Sequence, residues 1–169
     1  MNNTHKKISD NDQTPSGVKQ DIRLNLPSFF PYRLSTLNMA VSQSVAQLYT
    51  GRFKLSRQEW RIIAALGCND SMSAKDIAAY SSLEKMQVSR AISRLKKEQL
   101  IIQQENRDDR RYTSLRLSDK GLATYKKIVP LVLAREEFIL SSLSEEEQKQ
   151  LAALMDKVYQ KAKELQQCG

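Results

Sequence analysis

The 169-residue sequence predicts a mainly α fold with one small β hairpin, and three observations carry that expectation. Apolar residues recur at steps of three and four along most of the chain, the spacing that lines one face of an α-helix. Ser56/Glu59, Ser73/Asp76 and Ser144/Glu147 each place a serine three residues ahead of an acidic residue at the start of an apolar run. Such pairs satisfy free backbone N–H groups at a helix N-terminus. Finally, the β-prone runs "LIIQQE" and "YTSLRLS" flank "NRDDRR", a polar tip with three arginines and two aspartates.

Residues 1–26 read as a disordered tail, and 27–169 as a single domain. The tail lacks the apolar stretch of a secretory signal, so the chain is expected in the cytoplasm. A first helix runs from near Pro31 to near Gly51, with Leu34, Leu37, Val41, Val45 and Leu48 on one face. The second opens at Ser56 and stops at Gly67; the third, from Ser73, lasts about two turns before Ser81 and Ser82. In the fourth, "LEKMQVSRAISRLKKEQL", Ala91, Ile92 and Leu95 fall within about 60° of Val88, while Gln87, Arg90, Ser93, Arg94 and Lys97 face the other way. From Lys85 to Lys97 this helix has five cations and no acidic residue, whereas an ordinary solvated helix mixes both signs. After the hairpin, a fifth helix runs from Ser118 to about Leu140, with a kink expected at Pro130. The last opens at Ser144 and carries Leu151, Leu154, Val158, Ala162 and Leu165 on one face.

Composition narrows the function classes. The 27 Lys and Arg against 19 Asp and Glu give a net charge of +8, which favours a polyanionic partner such as nucleic acid or a membrane surface. No apolar run approaches the roughly 20 residues of a membrane-spanning helix. The one histidine, His5, lies in the tail, and Cys68 and Cys168 are far apart, so no zinc site and no other cofactor is expected. Glycines are too scattered for a phosphate-cradling loop, and no Ser/His or Cys/His nucleophile pair can form. An enzyme is therefore disfavoured. Cys68, following an apolar run, is expected to be a small buried or half-buried residue.

A short helix, a brief turn and a basic-faced helix make a helix-turn-helix, and a hairpin placed straight after it supplies a wing. Residues 73–116 hold ten cations and six acids, so half of the chain's excess charge lies in about a quarter of its length. Arg90, Arg94 and Lys97 can meet phosphates or guanine, and Gln87 can pair with adenine. Ser73, Lys75, Lys85, Ser89 and Ser93 complete the candidate contacts to double-stranded DNA. The terminal helices carry more apolar surface than one small chain easily covers. A homodimer would cover it and set two recognition helices about 34–36 Å apart on a pseudo-palindromic operator; the alternative is packing within one chain.

These residues resemble the MarR family (multiple antibiotic resistance regulators) over roughly Leu26 to Leu165. "DDRRYTSLRLSDKG" is similar to the family's wing signature, and "EWRIIAAL" and "VSRAISRLKKEQLI" to its second and recognition helices. The resemblance implies a winged helix-turn-helix lobe over 56–117 and long dimerisation helices over 27–52 and 118–167. It implies that one of Arg110 and Arg111 enters the minor groove, that Asp109 orients the wing, that Arg90 meets DNA and that Ser73 touches phosphate. Gln99 departs from the family's usual glycine, in a position suited to a left-handed cap. The resemblance further implies a repressor released by a small aromatic acid or phenol. Ser28, Phe29, Phe30, Arg33, Leu37, Trp60 and Ile63 are the candidate ligand residues, with Arg33 as the carboxylate partner. The alternative places those aromatics in a dimer core and Arg33 in an ordinary ion pair. Rival functions are non-specific nucleic-acid or protein binding by the same lobe, or redox sensing through Cys68.

Overall fold

Capping chemistry sets most helix boundaries. The computed structural model describes residues 23–105 and 113–167, in which six α-helices and a two-stranded sheet follow the predicted order. After a 3-10 turn at Leu26–Ser28, α1 runs Phe30–Thr50 with Pro31 in its first turn, where the missing N–H is not needed. α2, Arg57–Cys68, begins with a closed box: Glu59 N–H donates to Ser56 Oγ at 3.2 Å, and Ser56 N–H to Glu59 Oε2 at 2.7 Å. α3 spans Ala74–Ser81 behind its Ser73 cap, and α4 spans Lys85–Lys97. β1, Ile101–Glu105, pairs antiparallel with β2, Thr113–Leu117, Ile101 lying opposite Leu117. α5, Asp119–Leu140, continues through Pro130 as one helix. α6, Glu145–Gln167, opens on a closed box like that of α2, formed by Ser144 and Glu147.

Three local outcomes refine the expectations. Gly67 does not stop α2, which runs on to Cys68; a Cβ at Gly67 would lie 2.3 Å from the Tyr125 ring, so the glycine lets α5 pack close. Cys68 is exposed rather than buried or half-buried, because as the final residue of α2 it lies past the buried Ala65 and Leu66; its Sγ is 3.9 Å from Tyr125 Oη. Gln99 adopts the left-handed conformation, φ 58°, that glycine takes most easily. Around it Leu100 N–H donates to Leu95 O at 2.9 Å and Gln99 N–H to Lys96 O at 3.0 Å. These are the two bonds of a Schellman cap, and the buried pair Leu95 and Leu100 supplies its apolar contact.

The core lies among α2, α3, α4 and the hairpin. Ile62, Ile63, Ile77, Val88, Leu95, Ile101 and Leu115 are buried there, and Tyr49 of α1 and Ile128 of α5 join them. Met72 exchanges two backbone hydrogen bonds with Leu115, adding a one-residue bridge beside β2. α5 begins hard against the end of α4. Ser118 Oγ donates to Gln99 O at 2.6 Å and accepts from Gly121 N–H at 3.0 Å. A Cβ at Gly121 would sit 1.9 Å from Leu100 O, so only glycine allows this approach. The first half of α1 and nearly all of α6 remain exposed. No helix among the described residues is long and apolar enough to cross a membrane.

Candidate nucleic-acid interface

α4 packs through Val88, Ala91 and Leu95, with Ile92 partly buried beside them, and its other residues are exposed. At about 100° per residue, Met86, Arg90, Ser93 and Lys97 lie within about 50° of the centre of the free face. Gln87 and Arg94 fall on one flank, Lys85 and Lys96 on the other. Lys85, Arg90 and Lys97 are exposed and make no hydrogen bond or ion pair with any described residue. They are cations held ready for an outside anion. Beside them a cleft of about 620 Å³ opens between α3, α4 and β1, with Lys75, Lys85, Ser89, Ser93 and Lys96 on its walls and Val88 and Ile92 at its floor.

Other candidates are engaged within the chain. Ser73 Oγ donates to Asp76 Oδ2 at 2.7 Å and accepts from Asp76 N–H at 3.1 Å, so its hydroxyl already serves the α3 cap. Gln87 Oε1 accepts from Glu84 N–H at 3.2 Å, which ties the side chain back to the start of α4. Ser93 Oγ donates to Ser89 O at 3.0 Å, and Lys96 Nζ to Gln103 Oε1 at 2.5 Å. Arg94 Nε lies 3.0 Å from Glu59 Oε1, and Glu59 is only 3% exposed. Asp109, Arg110 and Arg111 lie outside the described residues.

Met86 is the residue that charge-led reading passed over. It is 64% exposed in the first turn of α4, close to the centre of the free face. The angular position measured from Val88 was the available signal.

The structure does not gather the candidate effector residues in one chain. Trp60 and Ile63 are core: Ile63 is fully buried, and Trp60 stacks on Tyr49 and Tyr125 at ring-centroid distances of 5.6 and 6.3 Å. Trp60 is thus already covered by rings of α1 and α5. Ser28, Phe29, Phe30, Arg33 and Leu37 are exposed on the 3-10 turn and the first two turns of α1. None of the seven lines the 620 Å³ cleft or a second cavity of about 330 Å³ beside Lys54, Glu59 and Arg94. Burial raises the Tyr125 phenol above the ordinary tyrosine range, and the nearby Cys68 thiol adds to the shift. The residue therefore stays neutral.

A tri-helical core, a basic second helix of the helix-turn-helix and a following hairpin define a winged helix-turn-helix protein. Comparison with known proteins gives the family. Residues 53–111 match the MarR family model. The regulator BilQ of Clostridium symbiosum (strain WAL-14163), named an HTH-type transcriptional regulator, is 31% identical over 103 residues, which are 61% of this chain and 71% of BilQ. The crystal structure of a MarR/EmrR family transcriptional regulator from Acinetobacter sp. ADP1 superposes with a TM-score of 0.77 at 25% identity, covering 83% of this chain and 99% of that one. An S. aureus MepR–DNA complex shares the fold, with a TM-score of 0.72 at 21% identity over 79% of this chain and 98% of MepR. The chain belongs to the MarR family.

Proposed function

We propose that the protein is a sequence-specific DNA-binding transcriptional regulator. It acts as a homodimer on a pseudo-palindromic operator, which it represses until a small aromatic carboxylic acid releases it. The observation that carries the DNA reading is the free face of α4, where Arg90 and Lys97 have no partner among the described residues, on a helix without an acidic residue. An N-terminal turn bearing Met86, Ser89 and Arg90 suits a major groove, where base edges are read. The MepR–DNA complex supports this use of the shared fold. Exposed apolar residues on α1, α5 and α6 support the dimer, and the exposed aromatics Phe29 and Phe30 beside Arg33 support the aromatic acid.

Duplexes selected from a random pool and titrated against excess random competitor test the reading. The wild type should retain its selected duplex, and Arg90→Ala should lower the slope of log affinity against log salt by about 0.9, one phosphate contact. Uniform binding to every duplex would sink sequence-specific regulation. Benzoic and hydroxycinnamic acids should release the wild type from its duplex, whereas Arg33→Ala should keep DNA affinity and lose the response.

A further inference from the structure

We infer that Arg94 is not a DNA contact but one half of a lock, in which the buried Glu59 carboxylate sets the angle of the recognition helix α4 against α2. The inference rests on the DNA-binding reading above and assigns Glu59 as a positioning residue for that interface.

The geometry separates Arg94 from its neighbours. It lies on the flank of α4, about 60° from buried Ala91, whereas Arg90 and Lys97 lie nearer the centre of the free face. Its Nε meets Glu59 Oε1 at 3.0 Å. The other carboxylate oxygen, Oε2, accepts from Ser56 N–H at 2.7 Å, so Glu59 is held from both sides. At 3% exposure this carboxylate has almost no water to replace a lost partner. Arg94 itself is 60% exposed, so water can replace its partner, but swinging out to a phosphate would leave the buried Glu59 without its cation.

The opposite flank carries a weaker, exposed tie, from Lys96 Nζ to Gln103 Oε1 at 2.5 Å. α4 is thus braced to α2 on one side and to β1 on the other, with Arg90 and Lys97 presented between the braces. Glu59 also adjoins Trp60, the ring stacked between Tyr49 of α1 and Tyr125 of α5.

The test measures duplex affinity and its salt slope for the wild type, Glu59→Gln, Arg94→Ala and the double variant, with the folded fraction followed by circular dichroism. Glutamine keeps the capping box and removes the charge. Glu59→Gln and Arg94→Ala should each weaken binding by roughly tenfold in fully folded protein while leaving the salt slope unchanged, since a loosened helix is less often in its binding pose. The double variant should bind no more weakly than Arg94→Ala alone. A slope reduced by about 0.9 in Arg94→Ala, as for Arg90→Ala, would place Arg94 on a phosphate and overturn the lock. Unchanged affinity in Glu59→Gln would overturn it too. A wild type that selects no duplex would overturn the DNA reading and the lock with it, an outcome distinct from both.

Discussion

The winged lobe and the terminal helices differ in how far they cover their apolar faces. In the lobe, α2, α3, α4 and the hairpin cover one another, and Ile62, Ile63 and Ile77 have no exposure. In the terminal helices, Leu37, Phe138, Leu154, Met155 and Val158 are all more than half exposed or close to it. Polar ties there are few: Arg135 Nη1 donates to Ser44 O, and Gln148 Nε2 donates to Leu140 O and Leu143 O. Both regions have clear helical periodicity in sequence. The difference teaches that periodicity identifies an apolar face without identifying what covers it. Exposed large apolar residues on α1, α5 and α6 are consistent with the dimer proposed above.

Replacing Leu154 and Val158 together by aspartate should have the largest effect. Sedimentation should change from dimer to monomer, because two charges would enter the apolar face of α6; an unchanged sedimentation coefficient would place the dimer elsewhere. Ile77→Ala strikes the other region. It should lower unfolding free energy by about 2–5 kcal/mol in urea titration, and by the same amount in the monomeric background if the lobe is self-sufficient. Gln99→Gly should raise stability by about 0.5–1 kcal/mol, seen as a higher urea midpoint, because glycine relieves the left-handed cap. Lys161→Ala removes an exposed pair with Glu164 at 2.6 Å and should shift the midpoint by less than about 0.5 kcal/mol.

Features determined by neighbours in sequence were legible. Ser56, Ser73, Ser118 and Ser144 each cap a helix, and each accepts from an N–H three residues on. The left-handed cap at Gln99 was marked by the family resemblance, in which a glycine usually stands there, and not by the residue itself. Features determined by distant contacts were not. Gly67 resembles a helix stop until the Tyr125 ring explains it. Arg94 reads as one more cation of a basic face, and its partner stands 35 positions earlier in a different helix. Gln87 has the chemistry for adenine, yet its acceptor lies within reach of Glu84 N–H. The candidate effector residues show the same limit: Trp60 was identifiable as a large aromatic, whereas its two ring partners came from α1 and α5.

The chain's one tryptophan lies at the seam between these regions, with tyrosine rings of α1 and α5 stacked on it at 24° and 23°. This makes its fluorescence a built-in optical gauge. The emission reports how the lobe sits on the terminal helices, without a dye and without a label to perturb the interface. A molecule that pries the two regions apart would admit water to the indole and redden its emission. One that merely covers the DNA-facing side of α4 would leave the spectrum as it was.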